Sequence, residues 1–79
     1  MKIFVKTIAG KAIEIKVNPE DTIRQVKGKI EKKMKIEVDR QKLFFTGQQL
    51  EDGEKLEKYN IQEGSSIVVL KSIQPYIRP

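Results

Sequence analysis

The sequence of 79 residues contains no cysteine and no histidine. Without cysteine there is no disulfide framework, no thiolate zinc site and no thiol nucleophile. Without histidine the chain lacks the usual general base near neutral pH and the commonest metal ligand. Most hydrolytic and redox chemistry is therefore excluded, and we expect a non-enzymatic protein without catalytic residues, cofactor or metal.

Long hydrophobic runs are missing as well. The longest uninterrupted apolar run is Ile67 to Leu70, which is far too short to span a membrane. No hydrophobic segment follows a basic start at the N-terminus, as a secretory signal would require. We therefore expect a chain that works in the cytoplasm, the nucleus or both, without membrane contact.

The length is that of one small domain, in which nearly every patterned apolar side chain is needed for a single core. The chain has 16 Lys and Arg against 11 Asp and Glu, a net charge of +5. Such an excess can steer a protein toward acidic partners. The two signs are mixed along most of the chain, however, which favours an ordinary solvated surface.

Two alternating segments open the chain. Residues 1–7 place Ile3 and Val5 on one side, and residues 12–17 repeat the pattern. Alternation with period two is typical of strands that bury one face. The short connection contains Gly10, which tolerates the positive φ of a tight turn. The pattern predicts an antiparallel hairpin.

A helix is predicted from residue 23 to about residue 34. Its apolar residues recur at intervals of three and four and form one stripe: Ile23, Val26, Ile30 and Met34. Thr22 and Gln25 have the spacing of a capping box. Gly28 is expected on the exposed surface of the helix.

Further strand signals follow at residues 41–45, 48–50 and 65–71, separated by turns, with Asn60 expected in the left-handed conformation. A hairpin, a crossover helix and further strands predict an α+β domain, a mixed sheet with one main helix packed across it.

The strand and helix periodicity ends near residue 72, and two prolines beyond it would stop any sheet ladder. We therefore expect residues 1–72 to form the domain and residues 73–79 to be a tail or the start of a linker.

Several motifs stand at fixed distances along the chain: Ile-Phe-Val-Lys-Thr at 3–7, Gly-Lys at 10–11, Asp-Thr-Ile at 21–23, Gln-Leu-Glu-Asp-Gly at 49–53 and Tyr-Asn-Ile-Gln at 59–62. Together they resemble the ubiquitin family over residues 1–71. The resemblance implies the β-grasp fold. It also implies two structural contacts: a largely buried one between Lys27 and Asp52, and one between the Tyr59 hydroxyl and a backbone amide near Glu51.

The chain departs from the family pattern at the residues through which conjugated members are attached to their targets. Conjugated family members carry a flexible Leu-Arg-Gly-Gly tail, where this chain has Ile-Gln-Pro-Tyr at 73–76. Proline fixes φ and tyrosine is bulky, so the narrow channel of an activating enzyme should not accept them. Two lysine positions used for chain building hold Gln48 and Glu63. At Lys35 the family has glycine, and a left-handed lysine would cost about 1 kcal/mol.

Alternation places apolar residues on the solvent face of the last strands, and the hairpin tip adds one more. These four residues, here named the docking patch, are Ile8, Phe44, Val68 and Leu70. The resemblance selects the same four as the surface that short helical motifs and small helical domains contact. Lys6, Lys42 and Lys71 are expected at the rim, with Gln49 adding hydrogen-bonding capacity.

We therefore predict a monomeric, non-conjugated interaction module that docks through this patch on ubiquitin-reading receptors, such as those of the proteasome. One alternative is a free-standing ubiquitin mimic that interferes with ubiquitin transfer. Another is a ubiquitin-like leader of a ribosomal or RNA-associated protein, which would use the lysines of the helix. No aromatic residues interleave those lysines, so nucleic-acid binding is not expected.

Overall fold

The computed structural model describes residues 1–72, so the tail expected at residues 73–79 lies outside the described residues. The elements are β1 (Lys2–Thr7), β2 (Ala12–Lys16), α1 (Ile23–Met34), a 3-10 turn (Val38–Arg40), β3 (Gln41–Phe45), β4 (Gln48–Gln49), a second 3-10 turn (Leu56–Tyr59) and β5 (Ser66–Lys71). Each strand and helix predicted from the pattern is present, with bounds that differ by about one residue.

The strands form one five-stranded sheet in the order β2-β1-β5-β3-β4. β1 and β5 run parallel at its centre, and the other neighbouring pairs are antiparallel. This mixed sheet with one main helix confirms the α+β class and the β-grasp architecture.

The core lies between α1 and one face of the sheet. The helix contributes Ile23, Val26 and Ile30, which are completely buried. The strands and loops contribute Ile3, Val5, Ile15, Val17, Leu43, Leu50, Leu56, Ile61, Ile67 and Val69. Burying one such side chain stabilises the fold by about 1.5 to 3 kcal/mol. Because the inner face supplies these residues, the other face of the sheet remains open to solvent.

The ends of α1 follow from local chemistry. The Gln25 N–H donates to Thr22 Oγ1 at 3.2 Å and the Thr22 N–H donates to Gln25 Oε1 at 2.7 Å, which confirms the capping box. A Cβ added to Gly28 would meet nothing within 4 Å, as expected for a surface position. At the other end Lys35 has φ 61° and its N–H donates to the Glu31 carbonyl at 2.8 Å.

A two-residue turn joins β3 to β4. Thr46 and Gly47 have φ values of 51° and 83°, the mirror-image turn geometry that matches the twist of hairpin strands. Positive φ is strained for a β-branched residue, and the Thr46 hydroxyl donates to the Phe45 carbonyl at 2.7 Å. The turn places Gln49 opposite Phe44.

No helix within residues 1–72 is both long enough and apolar enough to cross a membrane.

Replacing Lys35 by glycine is expected to stabilise the domain by about 1 kcal/mol, because glycine adopts positive φ without a Cβ clash. Urea unfolding followed by circular dichroism measures the change. Lys32→Gly, which removes the same charge inside α1, is the control and should destabilise the domain by about 1 kcal/mol. An unfolding midpoint of Lys35→Gly at or below that of the parent chain would contradict the assignment of strain.

Candidate protein-docking surface

The outer face of the sheet can be built from the strand register. Val68 in β5 lies between Lys6 in β1 and Phe44 in β3. Phe44 in turn faces Gln49 in β4. Directly opposed residues share a face of the sheet, so these four side chains form one row across four neighbouring strands. Leu70 stands two residues beyond Val68 on the same face.

The residues of the docking patch differ in exposure. Ile8, in the turn between β1 and β2, is 84% exposed, and Val68 is 39% exposed. Phe44 and Leu70 are half-buried rather than fully in solvent. Phe44 has strand neighbours on both sides, which explains its partial cover. The patch is therefore an apolar surface with two half-buried side chains and two exposed ones, of which Ile8 is the more exposed.

The turn that carries Ile8 is held by backbone and hydroxyl contacts. The Thr7 N–H donates to the Lys11 carbonyl at 2.8 Å, and the Lys11 N–H donates to Thr7 Oγ1 at 3.2 Å. Gly10 has φ 89°, the positive value anticipated for this turn. These contacts fix the backbone on both sides of Ile8 while its side chain stays in solvent.

Three of the four rim residues lie on the outer face. Lys6 is beside Val68, Lys42 is opposite Leu70 and Gln49 is opposite Phe44. Within residues 1–72 the ammonium groups of Lys6 and Lys42 form no ion pair or hydrogen bond. They are therefore available to carboxylates of a partner.

The strand register places Lys71, the fourth expected rim residue, on the other face of the sheet. It faces Gln41, whose buried side chain donates to the Lys27 carbonyl of α1 at 2.8 Å. Opposed residues share a face, which places Lys71 on the helix side of the sheet. Its neighbour Leu70 is on the outer face because alternation separates consecutive residues.

Phe4 is an outer-face residue that the predicted patch omits. It is 37% exposed, close to the value for Val68, and it lies opposite Ser66, two residues before Val68 on β5. Its signal in the sequence is the alternation of β1, which directs Phe4 away from Ile3 and Val5. The apolar surface of the sheet thus extends beyond the four predicted residues.

The three residues predicted to be structural hold the loop that follows β4. Lys27 Nζ lies 2.6 Å from Asp52 Oδ1, and the lysine side chain is only 10% exposed. Asp52 itself is 43% exposed and also meets Arg24 Nη1 at 3.4 Å, so only the lysine half of this contact is buried. The Glu51 N–H donates to the Tyr59 hydroxyl at 3.0 Å, which is the contact that the resemblance implied.

Two ionisable groups away from the docking patch have shifted pKa values. Burial alone would raise the pKa of Asp21, but a hydrogen bond from the Asn18 N–H and the ammonium of Lys29 outweigh it and lower the pKa below its usual 3.8. The hydrogen bond to Glu54 raises the pKa of Lys58. Within residues 1–72 no group of three or more acidic side chains is placed to hold a metal ion.

A mixed five-stranded sheet around one helix, with an apolar row on its open face, defines a ubiquitin-like β-grasp domain. A model of the ubiquitin family matches residues 3–74. The chain belongs to the ubiquitin family.

Curated relatives agree with this assignment. Ubiquitin-like protein NEDD8 of Dictyostelium discoideum is 36% identical over 74 residues, covering 94% of this chain and 96% of that protein. Ubiquitin-like protein 1 of Schizosaccharomyces pombe is 32% identical, covering 94% of this chain and 95% of that protein. Ubiquitin-like protein 4A of Xenopus tropicalis is 36% identical over 77 residues, covering 95% of this chain and 52% of that protein.

The contact between Lys27 and Asp52 predicts an asymmetric response to mutation. Asp52→Ala should cost about 2 kcal/mol, because it leaves the buried ammonium of Lys27 without its carboxylate. Lys27→Met should cost less than about 1 kcal/mol, because methionine fills a similar volume and water can solvate the exposed Asp52. Urea unfolding of both variants measures the difference. Equal losses would show that the two partners depend on each other equally.

Proposed function

We propose that this chain is a non-catalytic ubiquitin-like module that binds other proteins through the docking patch and is not itself conjugated. The observation that carries the proposal is the cross-strand row in which Val68 and Phe44 adjoin Lys6, which has no ion-pair partner within residues 1–72. Contiguous exposed apolar surface on a small domain is typical of an interaction site. Its similarity to ubiquitin-like proteins supports partners in the ubiquitin pathway.

The dimensions of the row favour an α-helical partner. The row from Lys6 to Phe44 crosses three neighbouring strands, which are spaced about 4.8 Å apart, so it measures about 10 Å. A helix with its side chains is about 10 to 12 Å wide. One amphipathic helix can therefore cover Val68 and Phe44 with its apolar stripe, and Ile8 would contact the side of that helix.

The charges at the rim favour a partner with acidic residues flanking that apolar stripe. Lys6 and Lys42 lie on either side of β5, and their ammonium groups form no ion pair with any residue of the described range 1–72. Exposed charges of this kind raise the association rate more than the affinity. A patch of this size is smaller than a standard interface, so we expect a dissociation constant of about 1 μM or weaker.

The proposal that the chain is not conjugated is supported by the residues at 73–76. They read Ile-Gln-Pro-Tyr where conjugated members of the family carry Leu-Arg-Gly-Gly. Proline has a fixed φ and tyrosine a large ring, and both oppose the extended, narrow path that bare glycines allow. Receptors that contact only the folded domain do not need this tail.

The combined substitution Ile8→Ala and Val68→Ser is expected to weaken binding at least about tenfold, because it removes the two most exposed apolar groups of the patch. The probe is a single-helix ubiquitin-interacting motif peptide, titrated by isothermal calorimetry or chemical shift perturbation. Thermal unfolding should change little, since Ile8 and Val68 are exposed in the free domain.

Phe4→Ser is the matched control, because Phe4 and Val68 are almost equally exposed on the same face. It should leave the affinity for the peptide nearly unchanged. An equal loss in both variants would assign binding to the whole outer face, and retained affinity in the Ile8 and Val68 variant would refute the patch.

Incubated with ATP and ubiquitin-activating enzyme, the chain is expected to form no thioester, because its residues at 73–76 do not fit the channel. Non-reducing electrophoresis detects the thioester, and ubiquitin serves as the positive control. A thioester-linked band of this chain would contradict the proposed lack of conjugation.

A further inference from the structure

Among the strands that the structure describes, β2 forms one edge of the sheet and pairs only with β1. Ile15 lies opposite Ile3, and Val17 and Met1 exchange two backbone hydrogen bonds of 2.8 Å. In an antiparallel ladder the residues between such pairs turn their backbone N–H and C=O groups the other way. The backbone groups of Glu14 and Lys16 therefore point to the open edge.

Two lysines of α1 occupy the carbonyl groups on this edge. Lys33 Nζ donates to the Glu14 carbonyl at 3.1 Å, and Lys29 Nζ donates to the Lys16 carbonyl at 2.8 Å. The spacing fits, because four residues of helix rise about 6 Å and two residues of strand about 7 Å. We name Lys29 and Lys33 the edge caps.

The open edge is complementary to itself. If a second copy paired antiparallel about a twofold axis through Ile15, Glu14 of each copy would face Lys16 of the other. Both residues direct their backbone groups outward, so the two pairs would make four backbone hydrogen bonds. Opposite charges would also meet on the same face of the joined sheet, which favours this register over neighbouring ones.

Two features keep this edge closed. The edge caps fill the acceptors that a second strand needs, and exposed strand edges are commonly protected by lysine. The groove between β2 and α1, about 380 Å³ in volume, is lined by four lysines and a single carboxylate, Glu14. Bringing two such grooves together opposes like charges across the twofold axis.

We propose that the open edge of β2 pairs with β2 of a second copy of this chain. The edge caps block this pairing while they are charged, and the edge becomes available when both lose their charge. The edge lies outside the docking patch, so this self-association is separate from the proposed binding of helical partners. The charged edge caps also give a physical reason for the expected monomer.

The test compares two double variants of equal charge. Lys29→Met with Lys33→Met removes the edge caps, whereas Lys11→Met with Lys55→Met removes two lysines that lie outside the groove and whose ammonium groups form no ion pair or hydrogen bond within residues 1–72. Sedimentation equilibrium should show self-association about tenfold tighter for the cap variant than for the control. Hydrogen exchange should show new protection at the amides of Glu14 and Lys16 in the cap variant alone.

Charge reversal in the cap variant tests the register. Adding Glu14→Lys should abolish self-association, because lysine would then face Lys16, and adding Lys16→Glu as well should restore it. Because Lys29 also contacts Asp21 at 3.1 Å, the pair Lys29→Gln with Lys33→Gln repeats the test if the methionine variant does not fold. A monomeric cap variant, or self-association without protection of the two amides, would overturn the proposal.

Discussion

The packing of one apolar stripe of α1 against one face of the sheet determines how the remaining surface is used. Ile23, Val26 and Ile30 have no accessible surface, and a domain of this size has few other apolar groups with which to offset the entropy of folding. The helix therefore covers a single face. Every outward position of the strands is released from the core and can serve recognition.

This division explains why the docking patch can be apolar without weakening the fold. Val68 alternates with Ile67 and Val69, so the same strand supplies the core and the outer surface. Phe44 and Leu70 are half-buried by neighbouring strands, which restricts their rotamers before any partner arrives. A surface ordered in this way loses less entropy on binding than flexible side chains would.

Much of the fold could be predicted because its signals are local. Alternation located β1 and β2, the stripe from Ile23 to Met34 located α1, and the capping box placed the start of the helix at the observed residue. The parallel pairing of β1 with β5 is different, because it joins residues about 60 positions apart and no local signal in either strand specifies it.

The differences between the predicted site and the structure also have physical causes. Alternation directs neighbouring residues to opposite faces, so Lys71 lies on the opposite face of the sheet from Leu70. The alternation of β1 directs Phe4 outward, where it lies opposite the small Ser66 and is 37% exposed. The edge caps could not be foreseen, because the rotation of α1 about its axis decides whether Lys29 and Lys33 reach the strand.

The central position of β5 has a consequence for synthesis of the protein. The Phe4 N–H donates to the Ser65 carbonyl at 2.8 Å and the Gly64 N–H donates to the Lys2 carbonyl at 2.7 Å, so β1 gains its second neighbour from the final strand of residues 1–72. Until that strand leaves the ribosome, β1 and β2 form a hairpin in which one edge of β1 is unpaired, and the sheet lacks its central pair of strands. Because this central pairing joins strands far apart in sequence, we expect the sheet to form only after β5 has been synthesised, and a product truncated before β5 would lack a central strand.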